Sequence, residues 1–373
     1  MKIVLSRQDL QKGIQTILSA VPIKGTMPIL SNVLLEARDT KLDLTATDLD
    51  VGIKCSIPAE IVDPGSITVN AKKLSDICRE LPDASVDIET DENHRVILVC
   101  KKSQFKIHGM AKDDYPILPE VKKDNPLKLK ALVLQEMIRK TIFAVSLDET
   151  RYVLNGVLFE LTKDQMRMVA TDGHRLAWVK KKADYTKLPE NRSVIIPTKA
   201  LNEVSRITAD VFKGQEEEAV VEIFSTENQM KFLMGGVELV TRLLEGQFPN
   251  YEQVIPKETD KQATMSVPEL TAATKRVSIL ASDKSYSIRF KIQKGKITIS
   301  SKTPDMGEAK EDLDIQYEGE ETTIAYNAKY VLDALKNLGN EQVELQFTQP
   351  LNPCIFKSKA DADYLCVIMP MRI

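Results

Sequence analysis

Apolar residues recur along this chain at two spacings, and the spacings alternate in a fixed order. Leu10, Ile14, Ile17 and Leu18 fall at i, i+4, i+7 and i+8 behind the cap-like start Ser6-Arg7-Gln8-Asp9 and predict a helix over 6–20. Two-residue alternation predicts strands near 1–5, 29–37, 41–46, 50–57, 66–69, 85–90, 95–101 and 104–110. Leu74, Ile77, Cys78 and Leu81 predict a second helix over 70–81, with Asn70 as N-cap and Pro82-Asp83 as its stop. The order then restarts. Helices are predicted over 131–146 (Leu134, Met137, Ile138 and Val145 inward) and 197–208 (Leu201, Val204 and Thr208 inward). Strands near 127–130, 153–161, 219–224, 229–235 and 237–244 surround them. A third pass opens near 262 with the capping box Ser266-Val267-Pro268-Glu269 and a helix over 268–280. It ends in a helix over 327–338, stopped by Gly339, with strands near 287–292 and 296–300.

The three passes share residues as well as order. Asn70-Ala71-Lys72-Lys73-Leu74 matches Asn327-Ala328-Lys329-Tyr330-Val331, and the middle copy reads Pro197-Thr198-Lys199-Ala200-Leu201. Ala46-Thr47-Asp48 returns 124 positions later as Ala170-Thr171-Asp172, each time after an alternating run. Tyr115-Pro116 and Phe248-Pro249 close the first two units. These repeats divide the chain into α+β domains over 1–125, 126–254 and 255–373, each with two helices packed on antiparallel sheets.

Length agrees, since 373 residues exceed one ordinary domain. Hydrophobic content of 43% and charged content of 28% are globular values. Five cysteines, Cys55, Cys78, Cys100, Cys354 and Cys366, form no C-x-x-C pair and fit reduced thiols in a cytosol. No apolar run approaches the roughly 18 to 20 residues of a membrane span. Met1 to Ser6 reads as a strand rather than a signal peptide, and Asn191-Arg192-Ser193 as a chance sequon.

The net charge of −3 hides an uneven distribution. Each of the six predicted helices comes to +1, so together they carry +6 and the remainder −9. Exposed helix faces accept Lys and Arg as good helix formers, but six positive helices in an acidic chain also describe a basic surface for a polyanion.

Asp172-Gly173-His174 sets a carboxylate near an imidazole. A hydrolytic triad also needs a nucleophile at a strained turn, and no G-x-S-x-G occurs. His94, His108 and His174 are the only histidines, and none has a second His or a Cys at ligand spacing. Neither G-x-x-x-x-G-K-[ST] nor G-x-G-x-x-G is present. Asp48 and Asp172 are expected to bond nearby backbone in turns. Neither a catalytic residue, nor a metal, nor a cofactor is expected. The tail, Val367 to Ile373, is unusually apolar for a chain end; it reads as a last edge strand, with its two methionines open to partners.

Ala170 to Ala177, Arg151 to Gly156, Glu245 to Tyr251 and Met369 to Arg372 together carry a family pattern. Over its whole length the chain resembles the bacterial β sliding clamps, processivity subunits of the DNA polymerase III holoenzyme. The resemblance implies the DNA-clamp fold in a head-to-tail homodimer, a cytoplasmic, non-catalytic ring around duplex DNA. Six domains would set twelve helices on its inner wall, doubling the helix charge to +12. The resemblance puts Lys12, Lys24, Lys72, Lys73, Arg79, Tyr152, Lys199, Arg206, Lys275, Arg276, Lys329 and Lys336 against DNA. It also implies a groove for short peptides of the replicative polymerase, other polymerases, the clamp loader and repair proteins. That groove would use Leu154, Thr171, Gly173, His174, Arg175, Leu176, Pro249, Val254, Asn327, Tyr330, Pro353, Val367, Ile368, Met369, Pro370, Met371 and Arg372. At the dimer seam Phe105 and Ile107 would meet Ile279 and Leu280 of the other copy. Gln253, Val153, Asp148 and Thr198 depart from residues that some members carry at the groove rim or near DNA.

Overall fold

Alternation becomes burial wherever a strand turns one face to helices. Along Ser85–Thr90 only Val86 and Ile88 are buried, and along Arg95–Cys100 only Val96, Leu98 and Cys100. The structure, a computed structural model, describes residues 1–23, 27–121, 126–182, 191–282, 284–304, 306–339 and 341–372. Among these lie six α-helices: α1 (Arg7–Ile17), α2 (Ala71–Glu80), α3 (Ala131–Thr141), α4 (Thr198–Val211), α5 (Val267–Ser278) and α6 (Ala328–Asn337). Their caps follow the sequence. The side chains of Ser6, Asn70, Ser266 and Asn327 each accept a backbone N–H of the first turn. Gly339 follows α6 at φ +96°.

The chain forms two compact units, and neither is a whole number of repeats. The first contains residues 1–135 and 199–243, the second residues 136–198 and 244–373. Sheet pairing is the cause. In the first unit a 13-stranded sheet includes the first repeat and four strands of the middle one, joined where Val51–Pro58 pairs antiparallel with Val237–Arg242. In the second unit an 8-stranded sheet joins Arg175–Lys182 of the middle repeat to Asp361–Ile368 of the third, again antiparallel. A 4-stranded sheet completes the third repeat. In each junction, the strand after an Ala-Thr-Asp turn pairs with the last strand of the next repeat.

α1 and α2 pack together on the first sheet, with Leu10, Ile14, Ile17, Leu74 and Cys78 fully buried. Each large aliphatic side chain so placed stabilises the unit by roughly 1.5 to 3 kcal/mol. α5 and α6 pack alike in the second unit, with Leu270, Val277, Val331 and Leu335 inward.

Several boundaries move. The predicted strand from 29 begins at Asn32, because Pro28–Ser31 is a 3-10 turn; the one from 153 begins at Gly156, after the 3-10 segment Glu149–Leu154. α3 stops at Thr141 and passes into a 3-10 turn, Ile142–Ala144. α4 runs on to Val211, since nothing after Thr208 breaks a helix before Gly214. The tail strand is not an edge. Asp361–Ile368 lies between Arg175–Lys182 and Cys354–Ser358, and burial on both faces explains its apolar character.

Candidate binding groove and basic helix faces

The two Ala-Thr-Asp copies fold into the same turn. Asp172 Oδ1 accepts the N–H groups of His174 (2.9 Å) and Arg175 (3.0 Å), while Thr171 donates its hydroxyl to Arg175 O and accepts from Gly173 N–H. Asp48 Oδ1 accepts from Asp50 (3.0 Å) and Val51 (2.8 Å), and Thr47 donates to Val51 O and accepts from Leu49 N–H. The turn requires a left-handed residue after Asp. Gly173 supplies it at φ +86°, whereas Leu49 adopts φ +82° with a side chain attached.

Beyond this turn the second copy is unlike the first. Arg175 directs its guanidinium to Asp172 Oδ2 (3.0 Å), to Asp333 on α6 and to the Phe143 carbonyl, and lies 4.5 Å over the Tyr330 ring. His174 stacks on Tyr330, ring centroids 6.5 Å apart. Met369 donates its N–H to His174 O, and Met371 to Ala325 O, so the tail is stitched on both sides. Asp172 is bound to backbone and to Arg175, and the His174 ring lies on Tyr330, so the turn forms a wall.

Behind that wall is a cavity of about 120 Å³ lined by Leu154, Thr171, Gly173, Arg175, Leu176, Pro249, Tyr251, Val254, Val367 and Met369. Sequence reasoning anticipated nine of these and missed Tyr251. The Tyr251 hydroxyl donates to Glu160 at 2.7 Å and accepts from Arg167 at 3.4 Å. Burial, then the Glu160 contact, push the phenol up to about 12, so it remains a donor at neutral pH. The other anticipated residues lie elsewhere. His174 is exposed, Tyr330, Pro370 and Met371 are half-buried, and Arg372 is exposed. Asn327 caps α6 and donates to Ser285 O. Pro353 precedes the strand that pairs at Ile368, and Ile368 itself is fully buried.

The helix charge needs correcting. α4 extends through Asp210, so its Lys199, Glu203, Arg206 and Asp210 cancel and the six observed helices total +5, not +6. In α3, Lys140 is only 5% exposed and pairs with Glu136 and Asp361. Arg206 is bound to Glu203, Asp210, the Thr16 carbonyl and Ser19, and ties α4 to the end of α1. Lys199 pairs with Asp48, Arg79 with Asp76 and Glu80, Arg276 with Glu311. Lys329 lies 3.5 Å over the Tyr286 ring. Lys12, Lys72, Lys73, Lys275 and Lys336 are exposed without an acidic partner among the described residues. Tyr152 is 54% exposed, and Lys24 lies outside the described residues.

At the seam positions Phe105, Ile107 and Leu280 are half-buried and Ile279 is 73% exposed. Cys55, Cys78 and Cys366 are buried, which pushes each thiol up to about 12. Among the described residues no helix is long and apolar enough to cross a membrane.

Comparison with known proteins accounts for this architecture. Family profiles of the DNA polymerase III beta subunit match in order: the N-terminal domain over residues 1–119, the central domain over 128–250 and the C-terminal domain over 252–372. The beta sliding clamp of Bacillus subtilis is 34% identical over 385 residues, and that of Pseudomonas putida 33% over 375, each covering all of both chains. The crystal structure of the Pseudomonas aeruginosa DNA polymerase III subunit beta superposes with a TM-score of 0.94 at 32% identity, covering all of both chains. The Bartonella birtlesii sliding clamp bound to griselimycin gives 0.95 at 31%, with the same coverage.

Proposed function

The chain belongs to the DNA polymerase III beta subunit family, the bacterial β sliding clamps, and on that premise we propose how its own residues close the ring, meet DNA and hold partners. It is a DNA sliding clamp, a processivity factor that encircles duplex DNA as a head-to-tail dimer and tethers the replicative polymerase and other replication and repair proteins. The family is one of accessory factors; that this chain has no catalytic residue and works in the cytoplasm belongs to the proposal.

Junction repetition carries the assignment of the seam. Twice, the strand after the turn pairs with the last strand of the following repeat. In the third repeat the strand in the corresponding place, Gly307–Asp314, is a sheet edge. The first repeat's last strand, Ser103–Met110, pairs along one side and on the other only at Gly109 and Met110. Continuing the rule joins these two edges between copies, head to tail. Their charges match: Glu308, Glu311, Asp312 and Asp314 outnumber Lys310 on one, while Lys106 follows Lys101 and Lys102 on the other. Phe105 and Ile107 then meet Ile279 and Leu280 across the seam.

The free lysines Lys12, Lys72, Lys73, Lys275 and Lys336 contact phosphate, with Tyr152, Lys329 and the ion-paired Arg79, Lys199, Arg206 and Arg276 contributing less. The Lys24 assignment rests on the family alone. Contacts can stay few because the ring is held by topology, and weak phosphate contacts allow sliding. The cavity takes one apolar side chain of a partner peptide, and the stacked His174 and Tyr330 with Pro370 and Met371 take the next. The working domains are residues 1–125, 126–254 and 255–373, with the middle one shared between two sheets.

Loading onto nicked circular DNA tests the reading. Retention on the circle, lost when the circle is linearised, is expected. Equal retention on both would overturn the ring.

A further inference from the structure

Tyr251 stands in the family motif Glu245 to Tyr251 but was not expected in the groove, and its surroundings give it a task. The cavity lies on one face of the sheet, whose cross-strand pairs are Leu158 with Val169 and Glu160 with Arg167. Those apolar residues, with Leu176, Phe248, Tyr251 and Val367, form one buried cluster. Tyr251 covers it from a 3-10 turn, Tyr251–Gln253, that contributes no strand to the sheet. What fixes the ring's direction is its hydroxyl, held by Glu160 at 2.7 Å and Arg167 at 3.4 Å. Arg167 is braced in turn by Glu252 at 3.3 Å.

The first repeat shows the same frame without the anchor. The 124-residue offset places Glu36 at Glu160, Asp43 at Arg167 and Gly52 at Leu176. Glu36 and Asp43 are again cross-strand neighbours, but two acids face each other there and Arg38 bridges them. Counting from the closures Tyr115-Pro116 and Phe248-Pro249, Leu118 stands at Tyr251. Leu118 lies against the sheet where Gly52 leaves room: a Cβ on Gly52 would lie 2.1 Å from its Cδ2. Leu118 lines a wide polar-rimmed cavity there, with Leu34, Glu36 and Thr45, whereas Tyr251 closes a small apolar one.

We propose that Tyr251 is the positioning residue of the groove: its hydroxyl, fixed by Glu160 and Arg167, holds the ring as one wall of the cavity and so shapes it for a partner's apolar side chain. This rests on the groove being the peptide site.

The test uses the full-length dimer and a fluorescein-labelled pentapeptide ending in Leu-Phe, with affinity read by anisotropy and melting recorded on the same samples. Tyr251→Phe and Glu160→Ala are each expected to weaken binding about tenfold, the equivalent of one hydrogen bond to a charged group. The double variant should be no weaker than either single one, and Glu160→Gln, which still accepts, should restore affinity to about the unaltered value. Unaltered affinity in Tyr251→Phe, or losses that multiply in the double variant, would overturn the proposal. So would a fall in melting temperature that tracks affinity across the variants. Failure of the unaltered dimer to bind the peptide would instead remove the groove reading, and this inference with it.

Discussion

Met369 donates its backbone N–H to the carbonyl of His174 at 2.9 Å, tying the last residues of the chain to the turn that carries Gly173, His174 and Arg175. Two residues on, Met371 donates to Ala325 at 2.8 Å. The tail is therefore built wall. The fully buried part of its strand ends at Ile368. Deleting Met369 to Ile373 should leave a folded dimer by sedimentation and melting, with peptide titration showing no saturable binding. Undiminished affinity would mean that the cavity works without this side.

Arg175 joins the turn to α6 through Asp333 and lies over Tyr330. Replacing it removes several hydrogen bonds to charged groups and strands Asp333 beside α6. Arg175→Ala should destabilise the second unit by about 3 kcal/mol, near the top of the range for such bonds. Peptide affinity should fall with it, and Arg175→Lys should recover little, because one ammonium cannot serve three acceptors and the ring. Chemical denaturation and peptide titration of both variants measure this.

Among basic residues, free and engaged ones should behave differently. Lys72 and Lys73 are exposed on α2 without an acidic partner among the described residues, whereas Arg206 is bound to α1 and to its own helix. Each lysine that meets a phosphate should contribute about 1 to the slope of log affinity against log salt. Lys72→Ala and Lys73→Ala are therefore expected to flatten the salt dependence of binding to a DNA fragment. Arg206→Ala should lower the melting temperature and leave the slope nearly unchanged. A flattened slope in Arg206→Ala would return that residue to the DNA surface.

Local signals in the sequence were sufficient for the helices, because caps such as Ser6, Asn70 and Ser266 act within one turn. The turn chemistry of Asp48 and Asp172 was legible for the same reason: its partners lie two and three residues away. The groove was readable only through family motifs, and Tyr251, though it ends one of them, was not placed in the groove. Its partner Glu160 is 91 residues distant, so no local pattern could name it. The edge strand Gly307–Asp314 was missed because its alternation is of charges rather than of apolar residues. The charge count failed at α4 and Lys140 because composition does not tell a free lysine from one in a buried ion pair.

Lys140 gives the second unit a defined response to acid. Burial alone would raise the carboxyls of Glu136 and Asp361, but hydrogen bonds and charge from Lys140, joined by Lys181, hold both below their ordinary values of 4.5 and 3.8. Groups lowered in the folded state stabilise it above the unfolded values and lose that contribution as pH falls through the folded ones. Stability should therefore decline as pH drops below about 4.5. Lys140→Met should cost about 3 kcal/mol at neutral pH, because it leaves two carboxylates without their main partner. It should also lose less, or even gain, on acidification, since burial then favours the protonated acids. Urea unfolding at neutral and acid pH compares the slopes. Parallel slopes would show that other carboxylates govern the acid response.

The ring seam makes the sharpest demand on the repeat. If Ser103–Met110 of one copy pairs with Gly307–Asp314 of another, Lys106 faces a strand rich in acids. Lys106→Glu would then replace attraction with repulsion. The dimer should dissociate at concentrations where the unaltered protein remains paired, and added salt should narrow the gap by screening. Ile107→Asp probes the apolar part of the same edge. It buries an unpaired carboxylate against Ile279 and Leu280 when the seam forms, and is expected to give a monomer in sedimentation. The melting transition should survive both changes, because the strand keeps its pairing with Arg95–Cys100. DNA retention on circles should disappear in step with the dimer, while peptide binding, built within one chain, should remain. A dimer unaffected by either substitution would place the seam on another edge and break the rule that the two internal junctions share.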